Sequence, residues 1–251
     1  GVQTCALPIS ELDGSGPVAV HDVVLSDAMP LDGEGARRVQ TMVEPLGLGQ
    51  ARFRVASRAE APAGDEWRVH AAGIVRSIAA APAAPLALAE VRARCEQAFD
   101  GAAFYAAFVR EGNGYGPAFQ GVRKLWRGRE EALACVEAPA GLLDGVGTYR
   151  FHPALLDACM QVLAAAVPEE RRRPALPVAV EALEVYAPAA AELWCHARLT
   201  GEVDGRLHGE LVVSDPQGRV LARMRGLEVQ MLVSATPEAS AAPRHLVQRW
   251  Q

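Results

Sequence analysis

One stretch constrains this chain more than any other. It is Phe151-His152-Pro153-Ala154-Leu155-Leu156-Asp157-Ala158-Cys159-Met160-Gln161, continuing through Val162-Leu163-Ala164-Ala165-Ala166-Val167. Pro153 suits a first helical position, where its missing N–H costs nothing. From Ala154 to Val167 every residue is apolar except Asp157 and Gln161. A helix that is apolar all round is a buried helix, so the rest of the chain must enclose it. The two polar residues are four apart and share one face. A carboxylate in such surroundings is costly unless it is partnered or opens on a pocket. Asp157, with the Gln161 amide beside it, is therefore a candidate acid or base with a raised pKa. Attraction to the helix dipole explains Asp157 poorly, because it lies about one turn inside the helix.

The enclosing elements read as strands. Val18–Leu25, Arg37–Glu44, Gln50–Ser57 and Glu66–Ile78 are β-rich or partly alternating, with Gly and Asp residues between them. No helix is evident from about residue 12 to residue 78. An Ala/Pro-rich stretch, Ala79–Ala89, reads as a linker. Helical stretches fit Leu88–Phe99 and Ala102–Arg110. Strands are expected at Gly121–Arg127, Glu131–Glu137, Leu176–Tyr186, Glu192–Leu199, Arg206–Ser214 and Val220–Leu232, with a tight turn at Asp215-Pro216-Gln217-Gly218. The second part is thus an α+β layout, an antiparallel sheet around one long buried helix, which is the hot-dog arrangement. The first part reads as a sheet of the same kind without its helix.

With 251 residues, half of them hydrophobic, the chain is long enough for one large domain or two small ones. Its net charge of −5 gives no pointer to nucleic acid or an anionic membrane, and no apolar run is long enough to suggest a membrane span. Five cysteines (Cys5, Cys95, Cys135, Cys159, Cys195) form no CxxC pair, and the histidines are not spaced to complete a metal site. Reduced, buried thiols of a cytoplasmic protein are the expectation. His21 and His70 read as structural histidines in strands. His152 either caps the helix or contacts a ligand, and it does not share the face of Asp157. His196, His208 and His245 carry no pattern.

Both ends look foreign to a domain. Gly1–Ile9 back-translates to a string resembling a sequencing-library adaptor, so the natural sequence is expected to start near Ser10 and Cys5 is given no role. Residues 234–251 read as a linker followed by the start of another domain.

Several motifs, in order, resemble the dehydratase domain of bacterial type I polyketide synthases. Tyr115-Gly116-Pro117-Ala118-Phe119-Gln120 resembles its YGPxFQ motif, and His152 to Gln161 its HPALLDxxxQ segment. Leu176-Pro177-Val178-Ala179-Val180 resembles its LPFxW-like strand, with Val178 and Val180 in place of the aromatics. Trp67 to Gly73 resembles the last strand of its first hot dog, and Arg249-Trp250 the start of the ketoreductase region that often follows. The resemblance covers about residues 15–251.

It implies a double hot-dog fold, with residues 10–80 the remainder of an incomplete first hot dog lacking its central helix, 81–95 a linker and 96–233 the second hot dog. It also implies removal of water from a 3-hydroxyacyl chain on an acyl carrier protein, giving an α,β-unsaturated acyl chain. In the family a histidine of an HxxxGxxxxP motif removes the α-proton and an aspartate protonates the leaving hydroxyl. Asp157 takes the second role, with Gln161 holding its carboxyl. Tyr115, Gly116, Pro117, Phe119, His152, Leu176, Pro177 and Val178 are the expected substrate-binding residues. The helix start is expected to offer backbone N–H groups to the thioester carbonyl. No cofactor or metal is implied beyond the phosphopantetheine of the acyl carrier protein. Partners are that carrier and neighbouring synthase domains, and family members are often dimeric; no nucleic acid or membrane is expected.

The chain's main departure from the family is that no HxxxGxxxxP occurs in it. The polypeptide as it stands is therefore expected to lack its base and not to dehydrate. Related double hot-dog isomerases, cyclases and product-template domains share the architecture, and a non-catalytic remnant within a megasynthase is the alternative of a different class.

Overall fold

The first strands appear where β-branched residues cluster: β1 (Val18–Leu25), β2 (Arg37–Gly47), β3 (Gln50–Ala59) and β4 (Arg68–Ser77). Helix α1 (Leu88–Arg94), strand β5 (Gln97–Asp100), helix α2 (Gly101–Arg110) and strands β6 (Val122–Arg127) and β7 (Glu131–Glu137) follow. Then come the long helix α3 (Pro153–Ala166) and strands β8 (Ala175–Val185), β9 (Glu192–Val203), β10 (Arg206–Ser214) and β11 (Val220–Met231). The structure is a computed structural model and describes residues 16–29, 37–59, 66–78 and 84–232. The expectations for residues 1–9 and 234–251 lie outside these.

Among the described residues, all eleven strands belong to one sheet, in the order β2-β3-β4-β1-β8-β11-β10-β9-β7-β6-β5. Every neighbouring pair is antiparallel. Strand β1 is the joint between the early and late strands: Val20 faces Val75 of β4 on one side and Leu183 of β8 on the other. Among the described residues, the first four elements are all strands.

Helix α3 packs on β6, β7, β9 and β10. Leu155, Ala158, Cys159 and Val162 are fully buried there against Ala132, Ala134, Leu193, Ala197 and Leu211. Strand β7 is buried on both faces, as its unbroken apolar run Ala132–Val136 requires. Ala132, Ala134 and Val136 join the core around α3, whereas Leu133 points to the other face and packs with Val91 and Cys95 of the α1 region.

One expectation needs correction. The helix expected over Leu88–Phe99 ends at Arg94, and Gln97–Asp100 is a strand whose Ala98 and Phe99 pair with Trp126 and Leu125 of β6. Cross-strand pairing outweighs the weak local helix preference there. Within the stretch expected as a linker, 81–95, Val91 and Cys95 are buried. The turn at Asp215–Gly218 forms as expected: Gly218 N–H donates to Asp215 O at 2.9 Å, and Gly218 takes a φ of +83° that suits glycine. The Asp215 carboxylate accepts from the N–H groups of Gln217 and Arg219.

Candidate active site

The site is built around the first turns of α3. Pro153 occupies the first helical turn, and the His152 side chain caps the helix, its Nδ1 accepting from the Ala154 N–H at 3.2 Å. Accepting through Nδ1 leaves the proton of the neutral ring on Nε2. Burial pushes the His152 pKa down, which favours that neutral ring. Tyr149 meets the ring edge-on at 5.1 Å between centroids.

One turn further on, Asp157 opens on a cavity of about 80 Å³. Its walls include Phe108 of α2, Met160 and Leu163 of α3, Leu207 of β10, and Leu227 and Val229 of β11. Tyr115, Asn113, Gln161 and the two arginines Arg172 and Arg173 add polar groups. Burial pushes the Asp157 carboxyl up from 3.8 to about 6, while the hydrogen bond from Gln161 works in the opposite direction. That bond, Gln161 Nε2 to Asp157 Oδ2, is 2.7 Å long. Gln161 Nε2 also donates to the Phe119 carbonyl at 3.1 Å, and Gln161 Oε1 accepts from the Tyr105 hydroxyl at 2.9 Å. The Tyr105 oxygen in turn accepts from the Val122 N–H at 2.9 Å. Burial holds the phenols of Tyr105 and Tyr115 well above their usual pKa, so both stay protonated.

The expected substrate-binding residues do not all meet. Tyr115 and Pro177 line the Asp157 cavity. Pro117, Phe119 and His152 line a second, wider cavity of about 730 Å³ at the start of α3, bounded by the 3₁₀ segment Ala140–Thr148. Gly116, Leu176 and Val178 line neither of the two cavities, and Leu176 is exposed. Phe119 reaches the acid only through its carbonyl, which holds Gln161.

Tyr105 was not singled out from the sequence, although a tyrosine within the apolar run Phe104–Phe108 is the kind of buried hydroxyl that needs a partner. Asn113, whose Nδ2 contacts the Tyr115 hydroxyl at 3.4 Å, was missed as well. Three other histidines are accounted for by neighbours. His70 bonds Ser57 Oγ at 2.7 Å and the Asp27 carbonyl at 3.1 Å. His21 Nε2 accepts from Arg76 Nε at 3.0 Å. His196 Nε2 lies 2.8 Å from Glu131 Oε2. Cys95, Cys135, Cys159 and Cys195 are free and buried. Among the described residues no group of His, Cys, Asp and Glu side chains is arranged to hold a metal ion, and no helix is long and apolar enough to cross a membrane.

An antiparallel sheet packed on one buried helix, with the Asp157 carboxyl facing a largely apolar cavity, defines a hot-dog-like architecture. The chain belongs to the polyketide synthase dehydratase family: residues 83–239 match the family described as "Polyketide synthase dehydratase N-terminal domain". It is 32% identical over 232 residues to polyketide synthase GfsA of Streptomyces halstedii, an alignment covering 91% of this chain and 3% of that protein. The chain thus spans a small part of the curated relatives it matches. The dehydratase domain from the CurK module of curacin polyketide synthase superposes with a TM-score of 0.84 at 26% identity, covering 93% of this chain and 84% of that one. Two variants of the CurK dehydratase, each described as inactive, also superpose at 27% identity over 91% of this chain. One carries phenylalanine for a histidine (TM-score 0.81, 80% of its chain), the other asparagine for an aspartate (TM-score 0.79, 79% of its chain).

Proposed function

We propose that this chain is the acid-bearing part of a dehydratase that removes water from a 3-hydroxyacyl thioester carried on an acyl carrier protein. The observation that carries the proposal is Asp157: a buried carboxyl, raised to about 6 by desolvation, held on one oxygen by Gln161 and facing an apolar cavity. A carboxyl with that pKa is protonated in about a tenth of molecules at neutral pH and gives up its proton readily. In the elimination, a base takes a proton from the α-carbon and the released electron pair forms the Cα=Cβ double bond. The Cβ–O bond breaks, and the Asp157 proton goes to the departing hydroxyl, which leaves as water. Nothing is oxidised or reduced, so the only carrier required is the phosphopantetheine thioester. That loss of one histidine or of one aspartate inactivates the CurK dehydratase supports a two-residue acid–base site of this kind.

In this proposal β1–β4 are the remainder of a first hot dog without its central helix, and residues 96–233 form the second, joined to it through the β1–β8 pairing. The base is the histidine of an HxxxGxxxxP motif, which the 251 residues do not contain. His152 is not that base: its Nδ1 is spent on the helix cap, and it lines the other cavity. The acyl carrier protein and adjoining synthase domains are the proposed partners, and dimerisation within the synthase is part of the same proposal.

The test is turnover. Alone with a 3-hydroxyacyl thioester of an acyl carrier protein, the chain is expected to form no unsaturated product by mass spectrometry. Preceded by the HxxxGxxxxP-bearing segment of a related dehydratase, it is expected to turn over. Asp157→Asn in that longer chain then lowers the rate by about 10²–10⁴-fold. Turnover by the chain alone refutes the assignment of the base, and an unchanged rate in the Asp157→Asn variant refutes that of the acid.

A further inference from the structure

The hydrogen bonds behind Asp157 have a direction, and that direction starts at a group that cannot reverse. The Val122 N–H on β6 is a backbone donor with no acceptor alternative. It donates to the Tyr105 oxygen at 2.9 Å. With that lone pair occupied, the hydroxyl proton of Tyr105 turns to Gln161 Oε1 at 2.9 Å, the Phe119 carbonyl at 3.3 Å being the longer alternative. Gln161 Oε1 is then an acceptor, and its Nε2 faces Phe119 O at 3.1 Å and Asp157 Oδ2 at 2.7 Å. A flipped amide would set Oε1 against the Phe119 carbonyl and the carboxylate, oxygen on oxygen in a buried site.

We propose that Tyr105 is a positioning residue for the acid: it fixes the orientation of the Gln161 amide, commits Asp157 Oδ2 as an acceptor and leaves Oδ1 as the oxygen that carries the transferable proton. The proposal rests on the acid role given to Asp157 above and adds how its proton is aimed. A proton on Oδ2 would weaken it as the acceptor of the 2.7 Å bond from Gln161, whereas a proton on Oδ1 leaves that bond in place. The burial of Tyr105, 7% exposed, keeps water from supplying competing donors along the chain of bonds. The ionisable and charged groups around Asp157 are Tyr105 of α2, Tyr115 in the segment after it, and Arg172 and Arg173 ahead of β8. Both tyrosines stay protonated over the range in which Asp157 titrates, so neither changes charge with it.

The test needs no turnover. In the chain labelled with ¹³C at aspartate carboxyls, the Asp157 resonance is the one lost in Asp157→Asn. Gln161→Leu is expected to raise the Asp157 midpoint by roughly one pH unit, because the donor to the ionised form is gone. Tyr105→Phe is expected to raise it by roughly half a unit to one unit, because the amide is no longer held. The double variant is expected to match Gln161→Leu alone, since Tyr105 acts through Gln161. In the unaltered chain the side-chain N–H signals of Gln161 are expected to titrate with the Asp157 midpoint, which keeps the test open if Tyr105→Phe does not fold. A folded Tyr105→Phe with an unmoved midpoint, a double variant equal to the sum of the two shifts, or Gln161 signals that ignore the titration would each overturn the proposal. An Asp157 that titrates near the ordinary carboxyl value with the coupling intact would count against the acid role and not against the Tyr105–Gln161–Asp157 arrangement.

Discussion

Two carboxyls on opposite sides of the same sheet, Asp157 strongly desolvated and Glu131 only partly buried, behave in opposite ways. Asp157, inside, has an amide for a partner, and burial raises it to about 6. Glu131, on the α1 side, receives both Arg94 Nε at 2.9 Å and Arg94 Nη2 at 3.0 Å, with His196 Nε2 at 2.8 Å. The Arg94 hydrogen bonds hold Glu131 below its usual value, outweighing burial. The difference lies in the partner. A guanidinium neutralises the ionised form and gives a structural tie between α1 and β7. An amide orients a carboxyl without neutralising it, so desolvation prevails and the group keeps a proton available near neutral pH.

The contrast breaks most visibly in stability against pH. The folded Asp157 binds its proton more tightly than the unfolded one, so its contribution is fullest below about pH 4 and is lost as pH rises through about 6. A shift from 3.8 to about 6 corresponds to about 3 kcal/mol. Asp157→Asn is therefore expected to be more stable than the unaltered chain by about 2–3 kcal/mol above about pH 7, with the gain vanishing below about pH 4. Urea unfolding at several pH values checks it, and equal stability at neutral pH would show that the carboxyl is not buried in charged form.

Glu131 has the reverse sign. Its pKa is lowered on folding, so its contribution is present above the unfolded value of 4.5 and is lost as pH falls through the folded value. Glu131→Gln is expected to cost about 1–2 kcal/mol at neutral pH, the difference closing in acid. A neutral-pH unfolding midpoint equal to that of the unaltered chain would remove the structural role assigned to the Arg94–Glu131–His196 cluster.

The smallest effect tests the cavity wall. A Cβ at Gly209 on β10 would lie 2.5 Å from both methyl carbons of Leu163, which lines the Asp157 cavity. Gly209→Ala forces Leu163 from its rotamer and is expected to cost about 1 kcal/mol or somewhat more. Through Leu163 it also alters the cavity around Asp157, read as a change in the acyl-chain length preferred by the extended chain described above. The matching change on the other face, Val91→Ala on the buried side of α1, is expected to leave that preference unmoved.

Much of this was legible in the residues themselves. Pro153 and the apolar run after it placed α3, and Val18–Leu25 coincides with β1. Asp157 and Gln161 stood out because a buried helix tolerates few polar residues, and four-residue spacing alone puts them side by side. Tyr105 did not stand out: its value comes from α2 lying beside Val122 and Gln161, 17 and 56 residues away in sequence. The Glu131 cluster was hidden for the same reason, since Arg94 and His196 reach it from 37 and 65 residues away. Likewise Leu88–Phe99 has no local pattern that separates helix from edge strand, and only pairing with β6 decides it.

Sequence alone thus determined which helix is buried, which two polar side chains it carries and which segments extend around it, because helical and strand periods are properties of neighbours along the chain. Tertiary structure decided that β1 joins eleven strands into one sheet, that His152 caps the helix and lines a cavity apart from the acid, and that Gln161 is held from behind by Tyr105. Those outcomes depend on hydrogen bonds and contacts between residues far apart in sequence, which no local pattern encodes.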